Sequence, residues 1–407
     1  MNLEKFKNIP FKKRTTCIVC DCVLDKPLIN LPGFPLTEIY VDIPVTEKIG
    51  FVDQEFHFCK NCEHGQIGNV IAPEFLYGNN YVTRTSTSSS AVKSIDVFLV
   101  FVNKILNNKP AKSVLDIGCN DVYTLKKLKN NAEKLYGVDP ILKGKEEQFN
   151  DDQITVFGDF FENIDFQSKK INFDVVLCSH TLEHVEHPKE LISNLLKNSG
   201  EETLFFFQFP GLEPLVENAH FDQVFHQHLN YFSLKSILYL LNSVGAELVN
   251  FEFNNHHWGT LMICFKKKKE GVISSNKFET DITSITEKEI LAQYKLFKDS
   301  MALANERLAS FNSETVYGYG AALMVPVLNY YIHNFLSLKN IIDDDKNKDG
   351  LYYINTPIQI IHSEKIGEIK NSIIFITATT SKQAIRDIVK KLIDLNVKEI
   401  IIPVNLI

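Results

Sequence analysis

Two close cysteine pairs, Cys17-x2-Cys20 and Cys59-x2-Cys62, are the first residues whose spacing implies chemistry. Each Cys-x-x-Cys turn presents both sulfurs to one point, and two such turns supply the four thiolates of a tetrahedral zinc shell. Four sulfurs close that shell, so a structural Zn²⁺ is expected rather than a catalytic one, although His57 and His64 lie close by in sequence. Five of the eight cysteines fall within the first 62 residues, and Cys22 is read as a bystander. In a large chain without a visible secretory leader, that clustering reads as metal binding rather than disulfides.

A second constellation is a series of acidic residues at the ends of apolar runs. Val114-Leu115-Asp116-Ile117-Gly118-Cys119-Asn120-Asp121 reads as a buried strand entering a glycine turn. A glycine there lets the backbone approach a ligand, and an acidic residue one strand further on can accept hydrogen bonds from ribose hydroxyls. Asp139, in Gly137-Val138-Asp139-Pro140, is placed for that role, and Asp159, followed by Phe160, could meet an adenine amino group. The histidine-rich stretch at 180–187 lacks the His-Glu-x-x-His spacing, so no metal is expected there. No Gly-x4-Gly-Lys-Ser/Thr phosphate loop is present.

The third constellation is Phe225-His226-Gln227-His228-Leu229-Asn230-Tyr231. Histidine is the side chain whose ordinary pKa lies nearest neutrality, which suits removal of a weakly acidic proton beside a ketone. Two imidazoles at i and i+2 share a face if the segment is extended, whereas in a turn either one could enter a pocket.

These residues require elements to position them. The 407-residue length implies two to four domains. Residues 1–78 read as a small loop-rich zinc module, with strand-like runs at 38–43 and 54–58. Residues 79–285 open with an apolar-periodic helix at 92–106. Strand and helix signals then alternate: SVLDIGC, a helix at about 122–131, KLYGVDP, ITVFGDF, FDVVLCSH, a helix near 188–197, TLFFFQFP, and strands at 247–253 and 260–265. Alternation of this kind implies an α/β fold around a mostly parallel sheet. Residues 286–407 begin with a helix at 286–311, read as a connector, and continue into a second alternating series with a helix near 382–395. Its Gly318-Tyr319-Gly320-Ala321-Ala322 turn, followed by Asp343, suggests a dinucleotide, but a third glycine is absent and nucleotide or sugar recognition is preferred.

Composition narrows the partners. Apolar residues make up 44% and charged residues 23%, which describes a folded globular chain. The net charge is −7, and only four cations are arginines (Arg14, Arg84, Arg307, Arg386), which argues against a nucleic-acid-gripping surface. No window reaches 18 uninterrupted apolar residues, so no membrane partner is expected and the cytoplasm is the expected location.

The motifs VLDIGCND, GVDP, GDFFEN and FDVVLCSHTLEHVEHP resemble the successive motifs of class I S-adenosylmethionine-dependent methyltransferases. The resemblance implies a central Rossmann-like sheet that holds the cofactor through Asp116, Gly118, Asn120, Asp139, Asp159, Phe160 and His180. The order of the whole chain is similar to a narrower family, the zinc-containing sugar C-methyltransferases acting on nucleotide-linked 4-keto-6-deoxyhexoses. Pieces that carry this likeness are CKNCEHGQIGNVIAPEFLY, FDQVFHQHLNYFS, VYGYGAA and the terminal IIIPV. It implies His228 as catalytic base with Tyr81 and Asn230 beside it, substrate contacts from His226, Tyr231, Tyr319 and Asp343, and a C-terminal Rossmann-like unit that holds the nucleotide sugar. Phe225 and Gln227 stand where that family has Tyr and Glu. Two alternatives stay open: an O-methyltransferase acting on a sugar hydroxyl, and a nucleotide-sugar binding protein without turnover. The oligomeric state is not legible.

Overall fold

The computed structural model describes residues 3–76, 84–254, 259–269, 278, 282–311, 314–365, 369–379 and 381–404. Tyr81 lies outside them. The middle of the chain forms a seven-stranded sheet: β1 (Ala111–Ile117), β2 (Ala132–Val138), β3 (Ile154–Phe157), β4 (Val175–Ser179), β5 (Leu204–Pro210), β6 (Ala246–Asn254) and β7 (Thr260–Lys267). The spatial order is β6-β7-β5-β4-β1-β2-β3. Neighbours among β1 to β5 pair parallel, while β7 pairs antiparallel with both β5 and β6.

Continuous apolar strands need cover on both faces, and side chains alternate accordingly. Val175 and Leu177 of β4 pack on one side with Ile95, Phe98 and Val102 of the helix Ser89–Ile105. Val176 and Cys178 pack on the other with Leu191 and Leu195 of the helix Pro188–Lys197 and Ile237 of the helix Leu234–Ser243. The mixed α/β fold with a central Rossmann-like sheet agrees with the sequence reading. The helix after β1 is shorter than expected, Tyr123–Lys127, because the chain before it turns through left-handed conformations at Asn120 and Val122.

The N-terminal segment builds a four-stranded antiparallel sheet in the order Asn230–Tyr231, His64–Ile67, Phe51–Cys59, Ile29–Pro35. Its edge strand therefore comes from more than 160 residues further along the chain. The expected strand at 38–43 is reduced to Tyr40–Val41, which pairs with Tyr352–Tyr353 of the C-terminal unit. That unit is a five-stranded parallel sheet ordered Ile360–His362, Ile341–Asp343, Val316–Tyr319, Ile373–Ile376, Glu399–Ile401.

The helix Glu287–Ala309 starts at a capping box in which Thr286 and Glu289 satisfy each other's backbone N–H groups. It is not the free connector expected from its sequence. Ile290, Phe297, Met301, Ala304 and Leu308 are buried in the same core as the C-terminal sheet. Exposed Leu291, Leu296 and Leu303 on its other face blur the apolar stripe, which hid this in the sequence. Among the described residues, no helix is long and apolar enough to cross a membrane.

Candidate functional site

The C-terminal ends of β1 and β2 bring Asp116 and Asp139 together, and Asp159 follows β3 at the same edge, where open α/β sheets carry a ligand crevice. Gly118 has φ +73°, and a Cβ on it would collide with the Thr181 side chain, so the turns after β1 and β4 approach too closely for any other residue. Val122 at φ 57° is a strained β-branched residue in the same turn. Asp139 ends β2 and is 7% exposed. Its carboxylate accepts from the N–H of Asn120 at 2.8 Å and of Ile141 at 3.0 Å, which ties the two turns together while leaving lone pairs for a ligand. Burial raises the pKa of Asp139, against those two bonds. Asp116 is 2% exposed, and burial, assisted by the Asp139 charge, pushes it up to about 8.

Asp159 accepts from Asn163 Nδ2 at 2.7 Å and from the Phe160 N–H at 2.8 Å, and the first of these bonds leads the lowering of its pKa. Phe160 beside it presents an exposed ring. Burial lowers His180 to about 4, so it is neutral near pH 7, with Nε2 3.4 Å from Ser94 Oγ.

Beyond these turns, residues 225–227 make a turn rather than an extended run, so His226 and His228 diverge. His226 is fully buried in the N-terminal sheet. Its Nδ1 lies 2.9 Å from Gln54 Nε2 and its Nε2 3.2 Å from the Phe34 carbonyl, so both ring nitrogens are engaged within the protein. Its neutral ring therefore anchors the turn, and burial lowers its pKa to about 4.

His228 turns the opposite way. Its ring lies 4.1 Å from Phe225 and 5.0 Å from His184, centroid to centroid. Two bonds flank it: His184 Nδ1 donates to the Gln227 carbonyl at 2.8 Å, and the Leu229 N–H donates to the Glu183 carbonyl at 2.8 Å. The Gln227 side chain is turned away to Thr37, accepting from Oγ1 at 2.9 Å and donating to the carbonyl at 3.1 Å.

Asn230 and Tyr231 brace this arrangement. Asn230 donates to the Val185 carbonyl at 2.7 Å and lies 3.4 Å from Arg14 Nη1. Arg14 also donates to the carbonyls of Leu229 and Glu186, and burial lowers it to about 10, still a cation. The Tyr231 hydroxyl donates to the Gln223 carbonyl at 3.1 Å and accepts from the Phe225 N–H at 3.2 Å, which closes its own loop.

The sequence reading expected no metal in the histidine-rich stretch and singled out only His180 from it, and the structure brings Glu183 and His184 from it to His228. A carboxylate and two imidazoles converging within 4.8 Å make a proton-handling or ligating group. Glu183 is 1% exposed, and burial raises it to about 7.

The four paired cysteines also converge. Cys17 and Cys62 sulfurs lie 3.6 Å apart, Cys20 and Cys59 3.4 Å, and all four fall within 4.8 Å of one another. Zn–S bonds of about 2.3 Å in a tetrahedron place sulfurs ~3.8 Å apart, so the donor set fits a metal ion. The hydrogen bond between Cys17 and Cys62 pulls Cys17 down to about 6 and pushes Cys62 up, as expected for thiols that cannot all ionise without a cation among them. The Ile18 N–H inside the first pair donates to Gln66 Oε1 at 3.0 Å, and Gln66 is the register partner of Asn230.

In the C-terminal sheet the winding reverses between Val316–Tyr319 and Ile373–Ile376, the place where open α/β sheets bind ligands. Tyr319 donates to Asp344 at 3.1 Å. Asp343 accepts from the Ala321 N–H at 2.6 Å and the Asp345 N–H at 2.8 Å, which shapes the glycine turn. Asp222, missed in the sequence, is fully buried and accepts from Thr379 Oγ1 at 3.3 Å at this edge.

Residues 96–250 match the protein family described as "Methyltransferase domain". A curated relative, the C-methyltransferase NovU of Streptomyces niveus, is 23% identical over 208 residues, covering 50% of this chain and 49% of the relative. The match thus spans about half the length of that relative. Among solved structures, the N-methyltransferase NodS of Bradyrhizobium japonicum WM9 has a TM-score of 0.35 at 13% identity, covering 45% of this chain and 89% of its own. The magnesium protoporphyrin IX methyltransferase ChlM of Synechocystis PCC 6803 has a TM-score of 0.35 at 15% identity, covering 44% and 84%. The middle of the chain is an S-adenosylmethionine-dependent methyltransferase domain.

Proposed function

We propose that this protein methylates a carbon beside the ketone of a nucleotide-linked keto-deoxy sugar, with His228 as the base. The observation that carries the reading is the divergence of the two histidines at residues 225–228. His226 is locked into the N-terminal sheet, whereas His228 stands against His184 beside the turn that follows β4. The C-methyltransferase named among the relatives supports carbon as the acceptor.

S-adenosylmethionine, when bound, supplies an electrophilic methyl group on a sulfonium. Asp139 and the Gly118 turn would hold its ribose and amino-acid parts, Asp159 its adenine amino group, and the Phe160 ring the adenine face. His228 would accept the proton from the sugar carbon, and His184, fixed by the Gln227 carbonyl, would keep that imidazole in place. Catalysis would rest on holding carbon and methyl in line and on shielding the enolate from water. The reversal point of the C-terminal sheet, with Tyr319 and Asp222 at its edge, would take the nucleotide.

Zn²⁺ at Cys17, Cys20, Cys59 and Cys62 would be structural, steadying the strand that pairs with Asn230–Tyr231. One observation favours an O-methyl product instead. Phe225 lies on His228 without a polar group and the Gln227 amide is spent on Thr37, so neither offers the enolate a partner.

Incubation of the protein with a panel of nucleotide-4-keto-6-deoxyhexoses in D₂O separates the readings. Deuterium entering the carbon beside the ketone, and a C-methyl NMR signal once S-adenosylmethionine is added, are the expected results. A methyl on oxygen with no enzyme-dependent exchange would replace the first reading by the second. His228→Ala should lower the rate by about 10²–10⁴ while calorimetric affinity for S-adenosylmethionine stays unchanged.

A further inference from the structure

We infer that Glu183, His184 and His228 form a binding site for a divalent transition-metal ion, separate from the four cysteines, and that occupation of this site switches the base off. Each residue offers one donor atom, and the three donors lie within 4.8 Å of one another. Two imidazoles and one carboxylate are a donor set that suits Zn²⁺, Co²⁺ or Fe²⁺ and is too rich in nitrogen for Mg²⁺ or Ca²⁺.

Three further observations point to a ligand. Glu183 is 1% exposed, and although His180 Nδ1 lies 3.3 Å from Oε1, neither carboxylate oxygen accepts a hydrogen bond. A buried carboxylate in that state calls for a partner of its own. His184 Nδ1 donates to the Gln227 carbonyl at 2.8 Å, and its Nε2 lies 3.9 Å from Glu183 Oε1. The Nδ1 bond is the outer hydrogen bond by which metal-bound histidines are oriented. The Leu229 N–H bond to the Glu183 carbonyl holds the two chain segments together, so the donors converge before any ion arrives.

The consequence for activity rests on the reading of His228 as the base. An imidazole nitrogen that ligates a metal has no lone pair for a proton, so metal binding and deprotonation exclude each other.

The test starts from protein whose cysteine site is already filled with zinc, to which Co²⁺ is added. One further equivalent should bind, giving weak visible d–d bands without the intense near-ultraviolet sulfur-to-metal band that a cysteine site would show. Glu183→Gln and His184→Asn should each weaken that equivalent by at least about 10–100-fold and leave the zinc content unchanged. The site is overturned if no further equivalent binds, if the new bands carry sulfur character, or if both variants bind Co²⁺ as the parent does. Methyl transfer is assayed separately. Loss of rate in step with occupancy supports the switch. Acceleration by the same equivalent would keep the site and overturn His228 as the base.

Discussion

At the scale of single residues, burial decides which titratable groups are available for chemistry. His226 and His228 are two positions apart, and only the second has a histidine and a carboxylate for neighbours. Glu213 shows what burial costs elsewhere. One of its oxygens accepts from the Leu234 N–H at 2.7 Å, the other has no hydrogen-bond partner, and burial raises its pKa from 4.5 to about 7. Between those values the folded chain keeps a proton that the unfolded chain has released. The stabilisation is therefore complete below about pH 4.5 and is lost as the pH rises through 7. Glu213→Gln should thus be near neutral at pH 5 and stabilise at pH 8 by up to about 3 kcal/mol, measured by urea unfolding at both pH values.

At the scale of elements, function depends on turns held at strand ends. Gly118 combines a left-handed backbone with contact against Thr181, so two separate strains meet any substitution there. Gly118→Ala should abolish measurable S-adenosylmethionine binding in calorimetry, and adding Thr181→Ala should recover only part of it, because the φ of +73° remains. The short strand Asn230–Tyr231 is positioned by Gly65 and Gln66, and Gln66 is held through Ile18 by the first cysteine pair. Stripping metal with a chelator should raise hydrogen exchange at residues 229–231 and lower turnover together. Unchanged exchange there would separate the cysteine cluster from the base.

At the scale of the whole molecule, segments distant in sequence complete one another's sheets. Tyr40–Val41 pairs with Tyr352–Tyr353, and Asn355 Nδ2 donates to the carbonyls of Leu36 at 2.8 Å and Gly50 at 3.1 Å. Asn355 is 7% exposed, so Asn355→Ala leaves two buried carbonyls without that donor. It should cost about 1–3 kcal/mol in denaturant unfolding and raise exchange at residues 36–50. The helix Glu287–Ala309 extends this continuity, because its buried face belongs to the core that joins the N-terminal sheet to the C-terminal one.

The amino-acid sequence alone determined the parts whose signals are local. Apolar runs alternating with helical periods gave the α/β sheet, glycine and acidic residues at strand ends marked the turns at Gly118 and Asp139, and close cysteine spacing marked Cys17, Cys20, Cys59 and Cys62. Each of these depends on neighbours within about twenty residues, or on a residue type with few other uses. The tertiary structure alone decided that His226 is locked into the N-terminal sheet, that Asn230 and Tyr231 brace the turn, and that Glu183 and His184 join His228. The physical reason is that burial and hydrogen-bond partners are set by strands that meet across the fold. The partners of His226 lie at positions 34 and 54, more than 170 residues away, where no local pattern can reveal them.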